Sequence, residues 1–261
     1  MKFKYILSIL LIIFCATTVQ AGVVTKTIAY QQNGENLEGY LAYDDSIREA
    51  RPAVLIVHEW WGLNDYARGR AEQLASLGFV AFALDMYGVG KVTEHPKQAG
   101  EWAKQIGQNV QAWRDRAQAG LEVLRKQPQT DRKRIAAIGY CFGGSTVQQL
   151  AYGGAALRGV VSFHGSLLPP PEGAGSEVNA RILIAHGAAD PLNSPEKVQK
   201  YLTAMELSGL DYQFIAYGGA KHAFTNPNAD KKGIAALGYN KTADRRSWQS
   251  MQDFFNEIFK R

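Results

Sequence analysis

The fold is indicated by one short stretch of the chain, Ile135-Ala-Ala-Ile-Gly139-Tyr-Cys141-Phe-Gly143-Gly144. An apolar run typical of a buried strand leads into a glycine-rich turn, in the G-x-S-x-G pattern of a nucleophile elbow with cysteine in place of serine. Glycines are needed there because the residue at the apex is held in a strained backbone, and side chains beside it would collide with the strand or the helix. The stretch therefore predicts a strand, a sharp turn with Cys141 at its apex, and a helix. The alternative is a small buried apolar side chain, which most free cysteines are.

Short apolar segments alternate with longer amphipathic ones along the rest of the chain, which indicates βαβ units. An antiparallel hairpin of residues 23–30 and 37–43 is expected around Asn33-Gly34. Later strands are predicted at 53–58, 79–84, 135–138, 159–163, 182–185 and 212–216. Helices are predicted at 66–77, 96–125, 143–152, 195–208 and 242–259. This order predicts an α/β-hydrolase fold, with a mostly parallel central sheet flanked by helices, an N-terminal β-hairpin and a loop over 166–179.

Two further residues follow predicted strands and suit the chemistry of Cys141. Asp190 comes after the strand at 182–185, and His222 comes after the last strand. The chain order of nucleophile, acid and base is that of α/β-hydrolases. A histidine can take the thiol proton, and a carboxylate fixes its tautomer and stabilises its charged form. Taken singly, Asp190 before a proline could be a turn former, and His222 could be a solvated loop residue.

An acyl-transfer site also needs donors for the oxyanion. The backbone N–H of Phe142, at the start of the helix after the turn, is one candidate. The loop after the strand at 53–58 reads His58-Glu59-Trp60-Trp61-Gly62, and the N–H of Trp60 is the second candidate. Glu59 is an additional acid in this loop, which by itself could be only a surface charge.

The first residues predict export. Lys2 and Lys4 precede an apolar run, and small residues end at Ala21, which is the pattern of a cleavable signal peptide over 1–21. The run is shorter than the ~20 residues of a membrane span, so we expect no stable membrane anchor. We expect a periplasmic or secreted protein with one domain over 22–261.

Cleavage would leave Cys141 as the only cysteine, because the other of the two is Cys15. A lone thiol in an oxidising compartment forms no disulfide within the chain, which favours a chemical role. Loss of the two leader lysines lowers the 29 Lys and Arg to 27, against 24 Asp and Glu, a net charge of +3. This balance gives no indication of a nucleic-acid partner.

Five blocks of the sequence, in order, resemble the dienelactone hydrolase family over nearly the whole mature chain. They are His58-Glu-Trp-Trp-Gly-Leu-Asn64, Leu84-Asp-Met-Tyr-Gly88, Gly139-Tyr-Cys-Phe-Gly-Gly144, His186-Gly-Ala-Ala-Asp190 and Lys221-His-Ala-Phe224. The resemblance implies a hydrolase of lactones or small carboxylic esters with a triad of Cys141, His222 and Asp190. It also implies that Glu59 binds the resting thiol and is displaced by substrate. Such control would protect the thiol from oxidation.

The sequence departs from that family in the residues that bind a substrate carboxylate. The family arginine four positions after the catalytic histidine is Asn226 here, and a second family arginine is matched at best by Lys91. Without these arginines the sequence does not identify a charged dienelactone as the substrate. A less polar or differently charged ester fits the sequence equally well. An apolar acyl pocket is predicted, although each of its residues could instead be an ordinary core aromatic. These residues are Trp60, Trp61, Tyr87 and Phe224.

No cofactor is expected, and five histidines without ligand spacing predict no metal site. His164 and His186, which follow predicted strands near the candidate site, are interpreted as structural residues or as residues that support the reacting groups without touching the substrate. We expect a monomer whose partner is a small-molecule ester or lactone. Two other classes stay open, a non-catalytic binding protein of the same fold and a thiol-redox protein that uses Cys141. The lack of a second cysteine or a C-x-x-C motif argues against the redox class.

Overall fold

The computed structural model describes residues 22–260, and an eight-stranded sheet runs through them. The predicted signal peptide over 1–21 lies outside the described residues. The strands are β1 (Val23–Gln32), β2 (Glu35–Asp44), β3 (Arg51–Val57), β4 (Val80–Leu84), β5 (Thr130–Tyr140), β6 (Gly159–Phe163), β7 (Arg181–Gly187) and β8 (Tyr212–Tyr217). Across the sheet they lie in the order β1-β2-β4-β3-β5-β6-β7-β8.

The six strands β4-β3-β5-β6-β7-β8 are parallel, and β2 runs antiparallel to its neighbours on both sides. β1 and β2 form the predicted hairpin in unbroken antiparallel register. Their turn has Asn33 at φ 50° and Gly34 at φ 78°, the two left-handed positions that favour Asn-Gly in a two-residue hairpin. The α/β-hydrolase arrangement predicted from the sequence is confirmed.

Within residues 22–260, six α-helices pack around this sheet. They are α1 (Asp65–Ser76), α2 (Pro96–Gly107), α3 (Val110–Arg125), α4 (Phe142–Tyr152), α5 (Pro195–Ser208) and α6 (Lys241–Ile258). α1 and α6 pack on one face, where Leu74 and Phe255 are buried. α3, α4 and α5 pack on the other, where Leu121, Val147 and Met205 are buried. Because both faces are covered, the central strands are apolar on both sides, as in other parallel sheets.

The helical region predicted over 96–125 is two helices in the structure. α2 ends at Gly107, and Asn109 begins α3 by accepting a hydrogen bond from the N–H of Ala112 at 3.0 Å. An asparagine side chain at this position satisfies an N–H that the first turn of a helix leaves without a partner. The break lets α3 pack on the sheet while Trp102 of α2 lies against the same apolar cluster.

The carboxyl ends of the parallel strands lie at one edge of the sheet and carry the loops that hold the candidate residues. Cys141 follows β5, Asp190 follows β7 and His222 follows β8. Within residues 22–260, no helix has both the length and the apolar character needed to cross a bilayer.

Candidate active site

Cys141 occupies the apex of a turn between β5 and α4. Its φ of 54° and ψ of −114° are unusual for a residue with a side chain, and the thiol is half-buried. Four non-glycine residues between positions 22 and 260 have positive φ, namely Asn33, Cys141, His164 and Ala223. Asn33 belongs to the hairpin turn, whereas His164 contacts Cys141 and Ala223 directly follows His222. Strain is therefore concentrated at the candidate site, as is common where a residue must be presented to a substrate.

Three glycines allow this turn because the backbone approaches itself closely. A Cβ on Gly139 would lie 2.0 Å from the carbonyl oxygen of Gly143. A Cβ on Gly143 would lie 2.2 Å from the carbonyl oxygen of Val57, and one on Gly144 would lie 2.7 Å from the Ser162 hydroxyl. The start of α4 therefore rests directly on the end of β3, which brings the loop after β3 next to Cys141.

Asp190 and His222 are brought together by the ends of β7 and β8. A Cβ on Gly187 would meet the carbonyl oxygen of Ala220 at 2.6 Å, so glycine is what allows the two loops to touch. His222 Nδ1 donates a hydrogen bond to Asp190 Oδ2 at 2.9 Å, and both side chains are buried. Asn193 Nδ2 donates to the same carboxylate oxygen at 3.0 Å.

This hydrogen bond and the thiol decide the charge of His222. Burial lowers the pKa of His222, but the neighbouring Cys141 sulfur and the Asp190 carboxylate outweigh burial and raise the pKa above the ordinary value. Burial likewise raises the pKa of Asp190, and its hydrogen bonds from His222, Leu192 N–H and Asn193 bring it below the ordinary value. Within residues 22–260, His222 Nε2 is buried and makes no hydrogen bond of standard geometry. Its polar neighbour is the Cys141 side chain. The arrangement favours a proton on His222 beside the Cys141 sulfur.

Phe142 is the first residue of α4, where a backbone N–H has no acceptor within the helix. Its ring is stacked on Trp113 with centroids 5.6 Å apart and an interplanar angle of 5°, and it also lies against His58. Thr146 ties the pair together, because Trp113 Nε1 donates to its hydroxyl at 2.8 Å and that hydroxyl donates to the Phe142 carbonyl at 2.9 Å. Trp60 lies in the turn after β3, and the start of α4 packs on the end of that strand.

Glu59 is buried and hydrogen-bonded to another predicted site residue. Its Oε2 accepts from Asn226 Nδ2 at 2.6 Å. Burial raises the pKa of Glu59 to about 7, although the Asn226 hydrogen bond and the charges of His222, Lys232 and Arg70 act in the opposite direction. In the structure the Glu59 carboxylate is hydrogen-bonded to Asn226, and its interaction with His222 is electrostatic.

The other residues predicted to bind substrate lie in different surroundings. Trp61 is buried against Trp60 with centroids 4.8 Å apart, and Lys232 Nζ lies 4.9 Å above its ring. Phe224 is fully buried in the cluster shared with α1 and α6, which makes it a core aromatic. Lys91 forms an ion pair with Glu35 at 2.9 Å.

Tyr87 has a buried hydroxyl without a hydrogen-bond partner in residues 22–260. Its ring lies 5.0 Å from His58 and 5.6 Å from Phe142. Burial, followed by the neighbouring Cys141, raises the pKa of Tyr87 above its ordinary value, so the hydroxyl keeps its proton. A cavity of about 100 Å³ beside Tyr87 is also lined by Trp102 and Ile106. The hydroxyl is thus a free donor near the sulfur.

The sequence predicts His164 as a structural or supporting residue near the site, and the structure places it against both Cys141 and His222. The sequence did not single out Thr225, whose hydroxyl lies 2.7 Å from His164 Nε2. The signal available in the sequence was the position of His164 directly after a buried strand. His186 lies against Phe214, in keeping with a structural role. The described residues hold no group of three or more His, Cys, Asp and Glu side chains suited to a metal ion.

Comparisons with known proteins show the family of this chain. The model of the dienelactone hydrolase family matches residues 37–259. A "putative carboxymethylenebutenolidase" from Aquifex aeolicus is 27% identical over 244 residues, which cover 90% of this chain and 99% of that protein.

Solved structures show the same relationship. A dienelactone hydrolase-like promiscuous phosphotriesterase from metagenomic libraries is 37% identical and superposes with a TM-score of 0.88, covering 92% of this chain and 100% of its own. An acylaminoacyl peptidase from Pyrococcus horikoshii, 14% identical with a TM-score of 0.67, shares the fold over 93% of this chain and 45% of its own. This chain therefore belongs to the dienelactone hydrolase family and is a carboxylic ester or lactone hydrolase of that type.

Proposed function

We propose that the protein is an exported hydrolase that cleaves a lactone or a small carboxylic ester through a covalent acyl-cysteine. Cys141 is the nucleophile, His222 the general base and acid, and Asp190 the residue that orients His222. The observation that carries this proposal is the Asp190–His222 hydrogen bond at 2.9 Å beside the strained Cys141 turn. Such a trio supplies a deprotonated sulfur, a proton carrier and a fixed tautomer.

In the first half of the reaction, the Cys141 proton passes to His222 Nε2 and the sulfur attacks the carbonyl carbon. The new S–C bond turns the carbonyl oxygen into an oxyanion, which the N–H groups of Phe142 and Trp60 stabilise. The C–O bond to the alcohol portion then breaks, and the alcohol leaves with the proton of His222. In a lactone the alcohol stays attached to the acyl chain.

In the second half, water attacks the thioester and gives a proton to His222. The tetrahedral intermediate collapses, the S–C bond breaks and the carboxylic acid is released. The proton held by His222 returns to the sulfur, so the step consumes one water and needs no cofactor.

Glu59 is proposed to control the resting thiol, as the family resemblance implies. Support comes from its burial, from its raised pKa and from its electrostatic interaction with His222. A buried carboxyl that changes charge near neutral pH can alter the proton balance of its neighbours. Its hydrogen bond to Asn226 would hold it ready for that role.

We propose that the substrate is a neutral or weakly polar ester. Asn226 supplies no positive charge where the family arginine stands, and its amide is already used by Glu59. Lys91 is paired with Glu35 and also donates to the Tyr87 carbonyl at 3.0 Å. Neither residue offers a free cation to a substrate carboxylate. The name of the metagenomic relative adds phosphotriesters to the candidates that deserve a test.

The test is hydrolysis of a panel by purified protein expressed from the full-length gene. The panel holds a dienelactone, neutral lactones, p-nitrophenyl esters of rising acyl length and a phosphotriester. Cys141→Ala should abolish turnover, whereas Cys15→Ala, which removes the only other cysteine, should leave it intact. The mass of the purified chain would show whether it begins at residue 22, as export predicts.

Each other result points elsewhere. Turnover that survives in Cys141→Ala would rule out the proposed nucleophile. No turnover of any ester by reduced protein would favour a binding protein. A stable sulfenic acid on Cys141 with no ester hydrolysis would favour a redox role.

A further inference from the structure

His164 lies between the turn that carries Cys141 and the loop that carries His222. It follows β6 directly and is buried. Its Nδ1 lies 3.1 Å from the backbone nitrogen of Cys141, and its Nε2 lies 2.7 Å from the hydroxyl of Thr225. Thr225 is three residues after His222, so one imidazole ring touches both loops that hold the candidate reacting groups.

The hydrogen-bond partners fix the protonation of this ring. The backbone N–H of Cys141 can only donate, so His164 Nδ1 must accept and carries no proton. Nε2 then carries the ring proton and donates it to the Thr225 hydroxyl. The same hydroxyl is 2.7 Å from Tyr66 Oη, which continues the chain of hydrogen bonds to α1.

We infer that His164 is a positioning residue, a neutral imidazole that fixes the backbone of the Cys141 turn and links it through Thr225 to the loop of His222. The catalytic consequence of this inference rests on the proposed function, whereas the geometric link does not. His164 does not touch the reacting atoms in this role. It sets the relative position of the two loops that carry them.

The backbone around His164 supports this assignment. His164 has φ 41°, a left-handed conformation that is unfavourable for a residue with a side chain. A Cβ on the next residue, Gly165, would lie 2.5 Å from the Ser162 hydroxyl and 2.8 Å from the carbonyl carbon of Gly144. The turn after β6 is therefore pressed against the start of α4, and the two hydrogen bonds of the His164 ring help to hold it there.

The charge of His164 matters because His222 lies against it. Their ring centroids are 5.3 Å apart in an edge-to-face arrangement. Burial, followed by the nearby charges of His222 and Arg70, lowers the pKa of His164 well below its ordinary value. A neutral His164 avoids a second positive charge beside the imidazolium that His222 forms when it takes the thiol proton.

A competing acceptor makes the role testable. The Cys141 N–H also points at the carbonyl oxygen of Phe163, at 3.0 Å. The hydrogen bond is shared between two acceptors, and Phe163 alone could satisfy the donor. If it does, the imidazole of His164 could be replaced by an apolar ring without effect on Cys141.

Two pairs of variants separate these cases. His164→Phe removes both ring nitrogens at similar size, whereas His164→Asn keeps an acceptor oxygen near the position of Nδ1. Thr225→Val removes the hydroxyl at nearly constant shape, and Thr225→Ser restores it. Each is measured for kcat and KM on a p-nitrophenyl ester, and for the pH-dependent rate at which iodoacetamide alkylates Cys141, followed by mass spectrometry. The ¹⁵N spectrum of the parent protein reports the His164 tautomer.

We expect Thr225→Val and His164→Phe to lower kcat by about 3- to 10-fold for each hydrogen bond lost, with KM nearly unchanged. Alkylation of Cys141 should slow by a similar factor, Thr225→Ser should behave like the parent, and His164→Asn should fall between parent and His164→Phe. The parent spectrum should show Nε2 protonated and Nδ1 unprotonated.

The inference is overturned if Thr225→Val keeps the parent kcat and alkylation profile, or if the spectrum shows a proton on Nδ1. Because the Thr225 variants and the spectrum do not depend on His164→Phe, they decide the matter even if that variant does not fold. If the parent hydrolyses no ester, the proposed function fails, but alkylation and the spectrum still test the position of His164.

Discussion

Asn226 donates its side-chain amide to Glu59 at 2.6 Å, and the exposed fraction is 4% for Asn226 and 2% for Glu59. Asn226 stands at the position where the family resemblance of the sequence implies an arginine. In this protein the amide of Asn226 is hydrogen-bonded to the buried carboxylate of Glu59. An amide carries no charge, and this one is already used by Glu59, which supports the proposal above of an uncharged ester substrate.

Glu59 should make the protein less stable as the pH rises from about 4.5 to about 7. Its pKa is raised from 4.5 to about 7 in the folded chain, so in this window the folded state keeps a proton that the unfolded state has lost. Folding stability falls with pH there, by about 3 kcal/mol in total, and the loss persists above pH 7. Glu59→Gln, which can still accept from Asn226, should remove this fall.

The measurement is urea unfolding at pH 5 and pH 8 for the parent, for Glu59→Gln and for the exposed-site control Glu172→Gln. The control should follow the parent. Equal pH dependence in the parent and Glu59→Gln would contradict the raised pKa of Glu59.

Gly143→Ala should damage the turn that carries Cys141. The new Cβ would lie 2.2 Å from the Val57 carbonyl oxygen and 2.7 Å from that of His58, and both are backbone atoms that cannot rotate away. We expect a loss of about 2 kcal/mol or more in the free energy of unfolding, together with a large loss of kcat. The matched control is Gly69→Ala within α1, where a Cβ meets nothing within 4 Å.

Gly69→Ala should stabilise the protein by about 0.5–1 kcal/mol and leave kinetics unchanged, because alanine is the better helix former. Thermal unfolding and ester hydrolysis, measured side by side, compare the two substitutions. Parent-like behaviour of Gly143→Ala would mean that α4 does not rest on β3 as closely as described.

Tyr87→Phe should separate stability from activity. The Tyr87 hydroxyl is buried without a partner, so its removal should leave the free energy of unfolding unchanged or raise it by about 1 kcal/mol. If the hydroxyl donates to the bound ester, kcat/KM should fall about 10-fold. Tyr201→Phe on α5, whose hydroxyl neighbours Tyr152 and Tyr212, is the control and should not affect kinetics.

Denaturant unfolding and steady-state kinetics on one ester series give both quantities. A marked loss of stability in Tyr87→Phe would show that the hydroxyl has a partner in solution. An unchanged kcat/KM would exclude it as a substrate contact.

Arg70→Met should destabilise the fold more than the loss of an exposed ion pair. Arg70 bonds Asp244 at 2.6 Å and the Thr225 carbonyl at 2.8 Å, and its side chain is 8% exposed. Removing it leaves a largely buried carboxylate unpaired, at a cost of about 3 kcal/mol or more. Arg181→Met, which breaks exposed pairs with Asp211 and Glu257, should cost less than about 1 kcal/mol.

Chemical unfolding of both variants at one pH compares them. An equal loss of unfolding free energy in the two variants would mean that the buried Arg70–Asp244 pair stabilises the fold no more than the exposed pairs of Arg181. Because Arg70 also lies over the ring of Tyr66, a second variant, Asp244→Asn, shows how much of the loss belongs to the ion pair.

The sequence by itself determined the parts of this protein that depend on neighbours along the chain. The strand, turn and helix around Cys141 were predicted because glycine spacing and a short apolar run are local signals, and β6 and α5 agree with their predicted bounds. The prediction was less precise where a single capping residue sets a helix boundary. The region over 96–125 was predicted as one helical stretch, and Asn109 begins a second helix within it. Asp190 and His222 could be picked out because parallel strands end at a common edge.

Only the tertiary structure decided which side chains touch across that edge. Asn226 and Glu59 are 167 residues apart, and nothing in the local sequence of either predicts their hydrogen bond. The contacts of His164 with Cys141 and Thr225 depend in the same way on the paths of separate loops. Backbone periodicity and sterics act over a few residues, whereas these hydrogen bonds form only after the sheet has brought distant loops within about 3 Å. The candidate catalytic residues could therefore be predicted from the chain, whereas the specific contacts that position them could not.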